Sequence, residues 1–146
     1  MRCRAPRLLG LFLLYAVPAV AQQPARPYTE GPVTDVQFIR VKFGHFDEYM
    51  TFLAGPYKRL MEAQQKAGVI TGWAVYESDS RDQEDWNIAL TTNYKNMAAL
   101  DNLRDREDPI DKQVYGSVAQ SSEAAVKRGE MREIVGNRLL RQLIIR

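Results

Sequence analysis

"VQFIRVKFGHFDEYMTFL", residues 36–53, changes its periodicity halfway along, and that change decides the fold. Its first half belongs to a run of β-branched and aromatic residues over 33–42. Side chains alternate along a strand, so Val36 and Phe38 point one way while Ile39 and Val41 point the other. Apolar residues on both sides predict a strand covered on both faces. Gly44 interrupts it. Beyond, Phe46, Tyr49, Leu53, Tyr57, Leu60, Gln64 and Ala67 recur every three or four residues, which is a helical stripe. Pro56 lies inside that stripe. A proline there removes a backbone donor and clashes with the carbonyl four residues back, so a kink or break is expected near Gly55. Gly68 is placed to end the helix.

The rest of the chain follows from this unit. Residues 69–78 and 86–94 read as two strands joined by the polar stretch 79–85, which is a hairpin pattern. In the second of these, Trp86, Ile88, Leu90, Thr92 and Tyr94 are expected on one face. Asn96 suits a helix N-cap. Pro109 is expected to open a further helical stretch, where proline is tolerated. Its stripe runs through Ile110, Val114, Val118, Ser121, Ala125, Arg132 and Val135, and Gly136-Asn137 stops it. The tail 138–146 fits a helix or a strand; the preceding glycine and its leucine and isoleucine content favour a strand. The order β-α-β-β-α-(α)-β is the ferredoxin-like α+β arrangement, with one four-stranded antiparallel sheet and its helices on one face. Residues 35–146 form this single domain.

The first residues are read separately. Arg2, Arg4 and Arg7 precede the apolar run 8–20, and Ala19 to Ala21 make a small-x-small site. This three-part pattern predicts a signal peptide over 1–21, cleaved after Ala21, and export to the periplasm or beyond. The run is shorter than the roughly 20 residues a membrane-spanning helix needs, so no stable anchor is expected after cleavage. Residues 22–34, with three prolines and a glycine, read as a flexible leader. Cys3, the single cysteine, leaves with the signal. Disulfides, thiol catalysis and cysteine-bound metals are thereby excluded from the mature chain. Loss of the three early arginines also turns 20 basic against 18 acidic side chains slightly acidic, which leaves no basic field for nucleic acid.

One sheet face remains uncovered in this arrangement. It would carry either Trp73 and Val75 or Tyr76 and Ala74 into water. An exposed apolar face of that kind needs a partner, and a second copy packed sheet to sheet is the simplest one. The acidic segment 77–111 and the basic segment 127–146 fit two solvated faces or complementary surfaces of such an oligomer.

In residues 36–53, and in 86–103, "WNIALTTNYKNMAALDNL", the chain resembles the dimeric α+β barrel superfamily, and in particular its exported bacterial members without assigned activity. The resemblance implies a homodimer with a cavity between sheet and helices. The superfamily includes cofactor-independent monooxygenases, haem-degrading enzymes, and small cyclases and isomerases, and fold alone does not choose among them.

Two sets of residues are candidates for function. His45, the single histidine, begins "HFDEY". Read structurally, it marks a helix entrance whose acids Asp47 and Glu48 meet the helix dipole. Read functionally, it is a general base or a haem ligand at the mouth of the cavity between sheet and helices. The second set is aromatic: Tyr49, Trp73 and Tyr76 would orient a flat apolar ligand, against the plainer reading of core and interface packing. No zinc, calcium, phosphate-loop, dinucleotide or serine-nucleophile motif occurs, so no metal or cofactor is expected. The function these features support is a homodimeric binding or structural module with a small apolar-ligand cavity. The alternative is a monooxygenase- or cyclase-type enzyme using His45 as base.

Overall fold

The computed structural model describes residues 26–79 and 85–146. The expected signal segment, the start of the leader and most of the polar stretch 79–85 lie outside the described residues. The chain runs β1 (Tyr28–Val41), α1 (Phe46–Phe52), a π-helical turn (Leu53–Tyr57), α2 (Lys58–Lys66), β2 (Gly72–Glu77) and β3 (Ile88–Tyr94). A 3-10 turn (Met97–Leu100), α3 (Leu103–Tyr115), α4 (Val118–Met131) and β4 (Arg132–Ile145) complete it. The strands form one antiparallel sheet in the order β2-β3-β1-β4. This is the ferredoxin-like architecture expected from the sequence.

The kink expected near Gly55 takes the form of the π turn. Pro56 has no N–H to give, and the helix widens around it until the amide of Lys58 reaches the carbonyl of Leu53. α2 then closes on Gly68, at φ +71°. The amides of Gly68 and Val69 return to the carbonyls of Gln65 and Gln64, each at 3.0 Å. That capping geometry turns Val69 and Ile70 into the core.

The helices cover the face of the sheet that carries Ile39, Val41, Ile88 and Leu90. These pack against Tyr49, Leu53 and Met131. A second cluster unites Val33, Met61, Val69, Ile70, Tyr94 and Ile110, with Trp73 against its edge. Alternation then sends Ala74 and Tyr76 to the uncovered face, and Tyr76 is 56% exposed. Val36 and Phe38 share that face. So, against expectation, does the ring of Trp86: it precedes β3 and packs on Phe38 with ring centroids 5.0 Å apart.

Four sequence expectations are corrected. Residues 28–34 are strand rather than flexible leader, because Tyr28, Thr29 and Glu30 pair with Ile145, Ile144 and Leu143. Pro109 is interior to α3, which starts at Leu103. Pro109 and Asp105 are both exposed, so the carbonyl that loses its partner can meet water. The helical run continuing from Pro109 breaks at Gly116, at φ +89°, and α4 restarts with Ser117 Oγ accepting from Gln120 N at 3.1 Å. Finally, α4 ends at Met131, and Arg132 to Val135 already belong to β4.

Candidate ligand pocket

Between sheet and helices lies a small pocket of about 130 Å3. Its lining draws on almost every element. Gln37 and Leu90 come from β1 and β3, Phe52 from α1, Tyr57 from the π turn and Leu60 from α2. Tyr115 is the last residue of α3. Arg128 and Arg132 enter from the end of α4 and the start of β4, four residues apart. The amide of Arg132 donates to the carbonyl of Arg128 as the last bond of the helix.

The two arginines are held differently. Arg132 Nη1 donates to the hydroxyl of Tyr49 at 2.7 Å and to Gln37 Oε1 at 3.2 Å. Its guanidinium also lies over the Tyr49 ring, 5.5 Å from the centroid. Arg128 stacks over Phe52 at 5.2 Å. Such stacking fixes a planar cation against an aromatic face. Neither arginine forms an ion pair with a carboxylate among the described residues. Burial pushes the Tyr57 phenol up to about 12, so it stays protonated and able to donate. The Tyr49 hydroxyl is also raised by burial, with the neighbouring Arg132 and Arg128 pulling the other way.

The sequence candidates are not all brought together here. Tyr49 is fully buried and serves the pocket from beneath, as the support of Arg132. Trp73 meets Tyr57 edge to face at 5.8 Å and backs the pocket wall without lining it. Tyr76 lies on the opposite face of the sheet and cannot reach it. His45 occupies the N-cap position of α1 without a side-chain cap, and its Nδ1 meets Glu48 Oε2 at 2.9 Å at the surface. It lines neither this pocket nor the open depression of about 620 Å3 formed by Phe46, Glu77, Ser78, Asp79 and Asn87. The sequence reading missed Gln37, Tyr115 and the two arginines. Their one sequence signal is the four-residue spacing of Arg128 and Arg132, which repeats the period of the helix.

Among the described residues no group of three histidines, cysteines or acids could hold a metal ion, and no helix is long and apolar enough to cross a membrane.

No protein-family model matches the chain, and no curated protein matches it significantly by sequence. Solved structures do resemble it. HapK from Hahella chejuensis has a TM-score of 0.52 at 11% identity, over 75% of this chain and 91% of that one. A dimeric protein of unknown function with a ferredoxin-like fold, from Bacteroides fragilis, has a TM-score of 0.42 at 18% identity, over 76% of this chain and 94% of its own. At 11% identity the likeness to HapK concerns backbone architecture alone, and what this chain shares with it is the fold.

Proposed function

We propose that the protein is an exported homodimeric module that binds a small ligand, mostly apolar in surface, in the pocket between its helices and its sheet. The observation that carries this reading is the pocket itself, with Phe52, Tyr57, Leu60, Leu90 and Tyr115 around a space of about 130 Å3. An engineered cavity of roughly 150 Å3 with apolar walls suffices to bind benzene, so this space suits a single ring.

Self-association is supported by the uncovered face. Phe38, Ala74, Tyr76, Leu140 and Ile144 share it, and the last three are largely exposed. From about 4.8 Å between strands and about 3.4 Å per residue, the face with its β1–β4 extension spans roughly 700 Å2 in projection. That is close to the roughly 800 Å2 per partner of a standard interface. Export rests on the signal pattern over 1–21.

Native mass spectrometry of residues 22–146, purified from the exported form, tests the reading. A dimer carrying a reproducible added mass is expected. A stable monomer would overturn the assembly, and a dimer that takes up no ring compound from a small aromatic panel would overturn the pocket.

A further inference from the structure

We infer that the ligand of this pocket is an aromatic carboxylate, its ring between Phe52, Tyr57, Leu60 and Tyr115 and its anion on Arg128 and Arg132. The inference rests on the pocket reading above and adds the chemical class of the ligand. It begins from charge. Both arginines are partly buried, both line one small space, and neither has a carboxylate within ion-pair distance among the described residues. Partly desolvated cations are stable when something pairs with them.

The surroundings only partly meet that need. Asp111 lies close enough to feel Arg128, and Asp35 close enough to influence Tyr57, but neither lines the pocket. The C-terminal end of α4 adds about half a negative charge against two positive ones.

Geometry supplies the rest. A guanidinium offers five N–H donors in a plane. Both protein hydrogen bonds of Arg132 leave from Nη1, and Arg128 makes no side-chain hydrogen bond among the described residues. Nη2 of Arg132 and the head of Arg128 therefore keep donors for an oxyanion, while stacking on Tyr49 and Phe52 limits their motion. Planar forks of this kind match a carboxylate, and a charge-assisted contact is about twice as strong as a neutral one. The volume of about 130 Å3 suits one ring.

The probes are benzoate, benzyl alcohol (the same ring, uncharged) and acetate (the charge without the ring), with binding to the mature chain followed by ligand-observed NMR titration. Benzoate is expected to bind at least about tenfold more tightly than benzyl alcohol, and acetate weakest. Arg128→Gln is expected to remove that preference. Arg132→Lys, which keeps the charge but loses the fork, should weaken benzoate more than benzyl alcohol. Lys66→Gln, exposed at the end of α2 and away from both the pocket and the uncovered face, should change neither.

Equal binding of benzoate and benzyl alcohol would overturn the anion assignment and leave the cavity reading intact. Binding of neither ring compound would overturn both. An equal loss in Lys66→Gln and Arg128→Gln would reduce the effect to general surface charge and overturn it too. Arg128 holds no other side chain by a hydrogen bond among the described residues, so its variant is expected to fold even if the Arg132 variant does not.

Discussion

Replacing Tyr49 by phenylalanine removes one oxygen from a fully buried side chain and leaves the ring in place. That oxygen accepts from Arg132 Nη1 at 2.7 Å. A hydrogen bond to a charged group contributes about 1.5–3 kcal/mol. Arg132 is half-buried and keeps its contact with Gln37, so part of the loss is recovered from water and the lower end applies, about 1.5 kcal/mol. Urea denaturation reads this directly. With a slope of roughly 1.5–2 kcal/mol/M the midpoint falls by about 0.7–1 M and the slope is unchanged. Melts must share one chain concentration, because self-association adds to apparent stability. Tyr57→Phe is the matched control: its hydroxyl has no hydrogen-bond partner among the described residues, and a loss below about 0.5 kcal/mol is expected, in the range of substitutions that break no specific contact. The double variant Tyr49→Phe with Arg132→Gln should cost less than the sum of the two single changes, since both remove the same bond. If Tyr49→Phe were as mild as Tyr57→Phe, and additive with Arg132→Gln, Tyr49 would not be the support of Arg132.

Three further outcomes are expected. Leu140→Lys puts a charge on the uncovered face at the edge strand β4 and should abolish the proposed dimer in sedimentation equilibrium; an unchanged dimer mass would mean that the copies meet elsewhere. His45→Ala should lower stability by no more than about 0.5 kcal/mol, because its contact with Glu48 is exposed, and should leave benzoate binding intact; lost binding with retained fold would return His45 to the site. Asp111 has one buried oxygen without a hydrogen bond, and burial raises its carboxyl above the usual range, with Asp108 adding and Arg128 opposing. A raised folded-state value means that Asp111 favours the folded chain at low pH, and that this contribution is lost as pH rises through the folded-state value. Asp111→Asn should therefore stabilise the protein at about pH 7 and much less at about pH 3, just below the ordinary aspartate value of about 3.9; a gain of equal size at both would exclude ionisation as its cause.

Much of the fold was legible because its signals are local. The change of period within residues 36–53, the glycine at 68 and the hairpin pattern each state their own geometry. The start of β1 was hidden by its prolines. Pro32 argues against a strand, yet it falls at the register shift between Glu30 and Val33, where the ladder with β4 asks for no donor. The end of α4 was hidden by a competition. Residues 132–135 suit a helix by spacing, but β1 has a second edge, and pairing along it is a long-range gain that no local pattern reports. The pocket was poorly legible: of the aromatic candidates Tyr49 and Trp73 lie behind its wall and Tyr76 lies across the sheet, and its cations were not read into it at all. Arg128 and Arg132 read as part of a basic tail until α4 and β4 turn them toward the sheet.

The wide turn at Leu53–Tyr57 has a consequence for the whole helical arm. Tyr49, Leu53, Tyr57 and Met61 are spaced four apart, and all four take part in the core clusters. On a regular α-helix each four-residue step overshoots a full revolution by about 40°, so three steps would rotate Met61 well away from the side facing the sheet. Five residues wound more loosely give back part of that angle. The proline thus acts as a phase correction, and it lets one straight run of side chains reach both clusters and open the pocket between them. Deleting Pro56 should let this turn close as regular α-helix and keep Met61 facing the sheet, because eleven steps of about 100° end within about 20° of three full revolutions.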